Sequence, residues 1–388
     1  MFKIGTLNAI SDSIYDHLPA DQFEVSKEVE GAQGILVRSA SMHEMDFDEN
    51  LLAIARAGAG VNNIPLDKAS EKGIVVFNTP GANANAVKEL VLAGLLLSSR
   101  KIAQGIDWAR TLKGQGAQVG KLVEKGKGQF VGPELKGKKL GVVGLGAIGV
   151  MVANAATAFG MDVYGYDPYI SVKSAWGVSR AVHYVKSIEA MVEECDYITI
   201  HVPLADATRG MFNADLLGRA KDGLRLLNFA RGELVDTPAV LAALQSGKLA
   251  CYVTDFPNDD LLCVDNVICI PHLGASTPES EENCAHMAAE QIADYLQNGN
   301  IVNSVNFPHL EMPRVEGTFR IGVVHKNVSK MIGAITGTIG QYNINIDNML
   351  NKSRGELAYT LIESNHAAGE DVLTALKGIE GVIRVLTF

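Results

Sequence analysis

Three kinds of polar side chain follow nearly continuous apolar runs, where a buried strand is expected to end. They are Arg231, His272 and an acid at Asp259 or Asp260. A histidine near neutral pKa can accept a hydroxyl proton, and a carboxylate can orient the imidazole and stabilise its protonated form. An arginine offers a planar fork for a carboxylate or a developing oxyanion. The three types together are typical of proton transfer on a carboxylate-bearing substrate.

A second group of residues could hold a dinucleotide. Gly144, Gly146 and Gly149 form a G-x-G-x-x-G between an apolar run and a helix rich in alanine, and Asp167 follows the next apolar run. These glycines permit a tight turn, the approach of a pyrophosphate and close packing of helix on strand. An acid about 20 residues further on can accept hydrogen bonds from a ribose, which favours NAD over NADP.

The two groups fit one reaction class. Oxidation of an alcohol carbon removes a hydride, which NAD accepts, and a hydroxyl proton, which a base such as His272 accepts. Each of these polar residues could instead have a purely structural role. Arg231 can cap a loop, and His272 can be a buried histidine. Asp259 and Asp260 can form a solvated turn. Their coincidence at neighbouring strand ends favours catalysis.

The elements around these residues predict an α/β protein with two doubly wound parallel-sheet, Rossmann-like domains. Strand and helix patterns alternate through residues 1–100 and again through 138–272, as parallel sheets require. Residues 51–60 are predicted as a helix turning into a strand and a glycine-rich loop. One long helix is predicted over 84–112, and 113–137 as a loop or extended crossing.

The C-terminal part has a different pattern. Ser276 and Glu279 are helix start signals for a helix to about residue 296. Residues 301–318 are predicted as a linker. Residues 319–388 then give the order βαββαβ, a ferredoxin-like arrangement.

Composition narrows the function classes. The chain has 388 residues and a formal net charge of −10, which argues against general binding to nucleic acids or membrane surfaces. Its five cysteines contain no C-x-x-C and mostly lie in apolar runs, which favours free thiols in a reducing compartment, and no metal site is predicted. No signal peptide or membrane-spanning run is found, so the cytoplasm is the expected location.

Several motifs resemble those of the D-isomer-specific 2-hydroxyacid dehydrogenases over roughly residues 1–310. They are the glycine-rich turn at 144–149, the segment Leu227-Asn228-Phe229-Ala230-Arg231-Gly232-Glu233-Leu234-Val235-Asp236, and Pro271-His272-Leu273-Gly274-Ala275-Ser276-Thr277. The resemblance implies a substrate domain at 1–100 and 283–312 and an NAD-binding domain at 101–282, with catalysis in the cleft between them. The C-terminal unit, 319–388, resembles an ACT domain.

The resemblance also implies roles for single residues. Arg231 would bind the substrate carboxylate and carbonyl oxygen, and His272 would be the acid/base. The family pattern D-V-F-x-x-E-P places an acid that pairs with the histidine five residues after a cofactor-contacting Asp. Counting from Asp255 gives Asp260, whereas aligning Phe256 with the family Phe gives Asp259, and either is one methylene shorter than the family Glu.

Further positions match the cofactor, substrate and effector contacts of the family. Cofactor contacts are implied for Gly144, Gly146, Ala147, Ile148, Gly149, Asp167, Pro203, Thr208, Ala230, Arg231, Asp255, His272, Gly274 and Ala275. Substrate contacts are implied for Arg38, Ser39, Asn83 and Arg231. L-serine contacts are implied for His325, Asn327 and Asn345, although this unit could equally be a dimerisation module without a ligand.

The implied reaction is NAD-dependent oxidation of 3-phospho-D-glycerate to 3-phosphooxypyruvate by a homodimer or homotetramer. An unphosphorylated D-2-hydroxy acid such as glycerate or lactate is the alternative substrate. An NAD-sensing binding protein on the same fold, of the corepressor kind, is the alternative from another class.

Overall fold

A computed structural model describes residues 1–388, which form two compact units. The central unit is Ala84–Thr277. The other, here called the split unit, combines Met1–Asn83 with Pro278–Phe388. The chain therefore leaves the split unit at Asn83, and returns to it at Pro278. These limits differ from the predicted ones, which place 84–100 with the substrate domain and 278–282 with the NAD-binding domain.

The first sheet of the split unit has five parallel strands in the order β2-β1-β3-β4-β5. No helix precedes the strand at Ala53–Arg56, so the prediction of a helix at the start of 51–60 is wrong. The strands are β1 Phe2–Leu7, β2 Phe23–Ser26, β3 Gly34–Val37, β4 Ala53–Arg56 and β5 Val75–Phe77, and the one α-helix among them is α1 Leu66–Glu71.

The central unit is built on seven parallel strands in the order β12-β11-β10-β9-β6-β7-β8. Its middle strands are buried along their length, which explains their continuous apolar sequence. The two parallel sheets confirm the predicted fold class. The strands are β6 Lys139–Val143, β7 Asp162–Tyr166, β8 His183–Tyr184, β9 Tyr197–Ile200, β10 Leu224–Asn228, β11 Leu249–Thr254 and β12 Val267–Cys269.

The helices of the central unit correct two predictions. The single helix expected over 84–112 is interrupted at Lys101, whose φ of 47° is left-handed. The expected loop at 113–137 contains an amphipathic helix, because Val119, Leu122 and Val123 recur at helical spacing among glycines and lysines. The helices are α2 Ala84–Arg100, α3 Ile102–Thr111, α4 Val119–Gly126, α5 Ala147–Ala158, α6 Val172–Gly177, α7 Ile188–Glu194, α8 Ala214–Gly218 and α9 Thr237–Ser246.

The C-terminal part of the split unit is a four-stranded antiparallel sheet in the order β14-β15-β13-β16. The element order βαββαβ is the ferredoxin-like arrangement predicted from the sequence. The long helix α10 Pro278–Asn298 precedes it. The elements of this C-terminal part are β13 Phe319–Lys326, α11 Met331–Gln341, β14 Ile346–Arg354, β15 Leu357–Ser364, α12 Glu370–Lys377 and β16 Val382–Thr387.

One apolar core joins the two sheets of the split unit. Ala288, Ala289 and Ile292 of α10 pack with strand residues of the five-stranded sheet. Tyr359 and Leu361 of β15 belong to the same cluster. The antiparallel sheet is therefore packed on the rest of the split unit rather than attached only through a linker.

A buried ion pair lies within this junction. Arg320 of β13 is 1% exposed and Glu363 of β15 is fully buried. The Arg320 Nη2 donates to Glu363 Oε1 at 2.7 Å and to the Met312 carbonyl at 2.7 Å, and Nη1 donates to the Asn298 carbonyl at 2.8 Å. The pair thus connects the antiparallel sheet with the end of α10.

None of the helices combines the length and the apolar character that crossing a bilayer requires.

Candidate active site

The glycine-rich turn connects β6 to α5 in the central unit. Gly144 has a φ of 93°, and a β-carbon there would lie 2.6 Å from the His201 carbonyl oxygen. A β-carbon at Gly149 would collide with the Gly144 carbonyl oxygen. Only glycine fits these two positions, because backbone approaches backbone at both. At Gly146 a β-carbon would meet nothing within 4 Å, so the turn is open on that side.

Asp167, at the end of β7, holds this turn in place. Its Oδ2 accepts a hydrogen bond from the Leu145 N–H at 2.8 Å, and its Oδ1 accepts one from the Tyr169 N–H at 2.8 Å. The carboxylate is therefore beside the turn, where a ribose bound at the end of β7 would meet it.

The turn fits NAD in two respects. Gly146 is the N-cap of α5 and supplies no side chain to its first N–H groups, so these remain available for an anion. The open space at Gly146 would admit a pyrophosphate to the backbone. Ala147 and Ile148, in the first turn of the helix, would contribute their N–H groups.

Two other predicted cofactor contacts, Pro203 and Thr208, lie in the loop after β9. The Thr208 hydroxyl donates to the Pro203 carbonyl at 2.7 Å and accepts from the Ala205 N–H at 2.9 Å. These bonds fix the turn at 203–208. Ala230, after β10, is likewise fixed, because its N–H donates to the Asn228 side chain at 3.1 Å.

Asn228 also positions Arg231. It is fully buried at the end of β10, and its Nδ2 donates to the Arg231 carbonyl at 2.8 Å. The Arg231 Nη1 donates to the Ala230 carbonyl at 2.7 Å, and its side chain is exposed. The sequence motif contains Asn228, but nothing in its residue type signals this bridging role.

Phe256 lies between the two residues predicted to do chemistry. Its ring centroid is 4.7 Å from that of His272, with the rings at 70°, and 5.9 Å from the Arg231 guanidinium carbon. A β-carbon at Gly232 would come 3.3 Å from the Phe256 Cβ. The absence of a side chain at Gly232 therefore leaves room for Phe256. Arg231, Phe256 and His272 form one cluster, here called the Phe256 cluster.

Asp255 is a buried acid beside this cluster. It is 2% exposed, and its Oδ1 is buried without a hydrogen-bond partner. Its Oδ2 lies 3.9 Å from where a β-carbon would stand on Gly274, two residues after His272. Burial raises the pKa of the Asp255 carboxyl, while the charges of His272 and Arg231 lower it.

The two acids predicted to pair with His272 lie elsewhere in the loop. Asp259 and Asp260 are both exposed, and neither carboxylate forms an ion pair with His272. The loop here is closed by Asn258, whose Oδ1 accepts from the Leu261 N–H at 3.1 Å. Ala275 follows Gly274 in the turn before α10, and no hydrogen bond of its own fixes it.

The predicted substrate residues Arg38, Ser39 and Asn83 belong to the split unit. The Arg38 Nη2 lies 2.5 Å from Glu281 Oε1 in the first turn of α10. The Ser39 N–H donates to the Asn8 side chain at 3.1 Å. Asn83 is the last residue before the chain enters the central unit. Glu281 was not singled out from the sequence, where it is one of three acids at this helix start.

The three predicted effector residues lie in the antiparallel sheet and its loops. His325 is 2% exposed, with Nδ1 2.8 Å from the Lys326 carbonyl and Nε2 2.9 Å from the Thr360 hydroxyl. Asn327 donates to the Gly355 carbonyl at 3.1 Å, and Asn345 donates to the Asp347 carboxylate at 2.8 Å. Both asparagines are exposed, whereas both nitrogens of His325 are engaged in the fold.

Comparison with known proteins places the chain among dehydrogenases. Residues 92–274 match the model of the D-isomer specific 2-hydroxyacid dehydrogenase, NAD binding domain. D-3-phosphoglycerate dehydrogenase of Haemophilus influenzae is 34% identical over 345 residues, which are 86% of this chain and 80% of that protein. The human protein of the same name is 38% identical over 294 residues, and the chain spans about half of it, 52%.

A solved structure agrees with these relatives. The NAD⁺-bound 3-phosphoglycerate dehydrogenase of Entamoeba histolytica superposes with a TM-score of 0.59 at 28% identity, over 80% of this chain and 99% of that one. The parallel sheets and the glycine-rich turn are thus those of an NAD-binding enzyme fold. The chain belongs to the D-3-phosphoglycerate dehydrogenase family of D-isomer specific 2-hydroxyacid dehydrogenases.

Proposed function

We propose that the protein oxidises 3-phospho-D-glycerate to 3-phosphooxypyruvate with NAD. The observation that supports this proposal is the Phe256 cluster, in which the His272 imidazole and the Arg231 guanidinium both lie against one aromatic ring. The names of the relatives support the phosphorylated substrate.

The residues of the cluster would divide the reaction between them. NAD, when bound at the glycine-rich turn, supplies the hydride acceptor. His272 would take the hydroxyl proton, because a neutral imidazole is a base of suitable strength near neutral pH. Arg231 would hold the substrate carboxylate and the oxygen on which carbonyl character develops. Phe256 would keep both side chains in place.

Arg38 would bind the phosphate, with Ser39 and Asn83 completing the substrate contacts. The Arg56 Nε donates to the Arg38 carbonyl at 3.0 Å, which fixes the backbone there. Because the Arg38 side chain is paired with Glu281, a phosphate would have to share or displace that carboxylate.

The test is NADH formation at 340 nm, at alkaline pH with a hydrazine trap, with 3-phosphoglycerate, D-glycerate and D-lactate. Turnover should need the phosphorylated acid, and Arg38→Gln should raise its KM about tenfold or more, since a charge-assisted bond is lost. Turnover only with an unphosphorylated acid would overturn the substrate assignment. A parallel arm with L-serine decides whether His325, Asn327 and Asn345 form an effector site.

We also propose that Asp255, rather than Asp259 or Asp260, supplies the charge that assists His272. A nearby carboxylate stabilises the imidazolium that forms as His272 takes the hydroxyl proton, so Asp255→Asn should lower kcat for oxidation about tenfold or more. Asp259→Asn and Asp260→Asn are the matched controls and should leave kcat unchanged. A loss of kcat in either control, with none in Asp255→Asn, would return the role to the exposed loop.

The assembly is proposed to be a homodimer or homotetramer in the cytoplasm. The support is that α3 and α4 bury none of their residues, while Ile102 and Ile106 are 42% and 48% exposed. Sedimentation equilibrium would give the mass of the assembly.

A further inference from the structure

An open cavity of about 480 Å³ lies in the split unit, away from every residue assigned a role above. Its volume is in the range of small-molecule sites. It lies between the strand β14 and the segment that follows α10. The residues that line it are Asn303, Ser304, Pro308, His309, Lys352, Ser353 and Arg354, here called the cationic cavity.

The charge of this cavity is opposite to that of the chain. Lys352 and Arg354 line it together with His309, and no acidic side chain does. Neither Lys352 nor Arg354 forms an ion pair, although the chain has 44 acidic and 34 basic residues. Two uncompensated cations in one cavity create a local positive potential that attracts anions.

One wall of the cavity is held rigidly. The Arg354 Nη1 donates to the Ser304 carbonyl at 2.8 Å, which fixes the guanidinium and leaves its other N–H groups free to donate. The Asn303 carbonyl in turn accepts from the Asn78 N–H at 3.3 Å, and Ser304 forms a bridge with Phe77 of β5. A prepositioned guanidinium loses little freedom when it binds an oxyanion.

We propose that the cationic cavity binds a small anion with two or more negative charges on oxygen, such as a phosphate group or a tricarboxylate. Arg354 would offer its planar fork and Lys352 a mobile ammonium group. Because β14 and the 303–309 segment both supply ligands, the bound anion would also hold these two parts of the split unit together. This inference does not depend on the proposed catalytic function.

Isothermal titration of the 388-residue chain with inorganic phosphate and with citrate, at constant ionic strength set by potassium chloride, tests the proposal. At least one anion should bind, and Lys352→Gln should weaken that binding about tenfold, as the loss of one charge-assisted hydrogen bond predicts. The Lys352 side chain makes no hydrogen bond in the fold, so this variant should fold normally. Binding of phosphate alone would identify the ligand as a phosphate group, and binding of citrate alone would identify it as a tricarboxylate.

Two further variants separate this site from the predicted phosphate contact at Arg38. Arg38→Gln should keep the anion binding, and Lys377→Gln, a change at an exposed lysine of α12, is the matched control and should also keep it. A rise in thermal midpoint with the anion should appear in wild type and be lost in Lys352→Gln. Absence of binding in wild type, or binding that survives Lys352→Gln but not Arg38→Gln, would overturn the proposal.

Discussion

Replacing His272 by asparagine should lower kcat for oxidation of the 2-hydroxy acid by about 10²–10⁴-fold, the usual contribution of a general base. Asparagine is close in size and can still form hydrogen bonds, but it cannot take up the hydroxyl proton. The Phe256 ring, which packs against the edge of His272 at 4.7 Å, would keep a neighbour of similar shape. Steady-state rates of NADH formation measure the effect.

Two controls keep this result specific. The Kd of NADH, followed by its fluorescence, should stay within about threefold of wild type, because His272 is only one of the implied cofactor contacts and the glycine-rich turn is unchanged. His183→Asn, at an exposed histidine of β8, should leave kcat unchanged. If His272→Asn retained more than a tenth of the wild-type kcat, His272 could not be the base. A pure NAD sensor would have no turnover to lose in the first place.

Glu363→Gln should lower the free energy of unfolding of the split unit by about 3–5 kcal/mol, because it leaves the Arg320 charge buried without its partner. The glutamine Oε1 could still accept from Arg320, which would also keep its bonds to the Asn298 and Met312 carbonyls, but the buried guanidinium charge would face a neutral amide. The two tryptophans, Trp108 and Trp176, both lie in the central unit. Urea unfolding should therefore show a lower midpoint by far-UV circular dichroism, with the tryptophan fluorescence midpoint little changed.

Glu316→Gln, at an exposed glutamate of the same unit, is the matched control and should change neither midpoint. A double variant, Arg320→Met with Glu363→Leu, should recover part of the loss, since apolar residues of similar volume can replace a buried pair. If Glu363→Gln lowered the free energy of unfolding by less than 1 kcal/mol, water would have to reach the Arg320 charge.

The ion pair between Arg320 and Glu363 also makes the free energy of unfolding of the split unit depend on pH. Burial raises the pKa of the Glu363 carboxyl, but the hydrogen bonds from Arg320, Val315 and Asn348 outweigh it and hold the pKa below its usual range. A carboxyl whose folded-state pKa is lowered stabilises the fold above its unfolded pKa of about 4.3. That contribution is present at neutral pH and is lost as the pH falls below about 4.

The sequence predicted the parallel sheets well because their strands are buried on both faces and carry continuous apolar runs. The glycine-rich turn was equally visible, since Gly144 and Gly149 stand where no β-carbon fits. The break at Lys101 could not be predicted, because a left-handed backbone at a lysine does not change the helical spacing of the apolar residues on either side. Helix α4 was not predicted, because its glycines and lysines are typical of a loop.

The candidate site was predictable in its residue types and less so in its pairings. Arg231 and His272 come together on Phe256, a contact that depends on a loop whose spacing departs from the family pattern. Local counting could offer Asp259 and Asp260, but only the fold shows that Asp255 is the buried acid. The partnership of Arg38 with Glu281 joins residues 243 positions apart, and no local pattern signals it.

The split unit also bears on how the protein is made. During synthesis, β1 to β5 leave the ribosome first, but the helix α10 that covers their apolar face is separated from Asn83 by the whole central unit, residues 84–277. At about 5–20 residues per second, those residues take on the order of 10–40 s to translate. For that time Ile4, Leu36, Ala55 and Val75 lack their packing partners in Ala288 and Ile292. The nascent N-terminal sheet is thus a natural substrate for chaperones, and slow translation of the central unit should increase its aggregation.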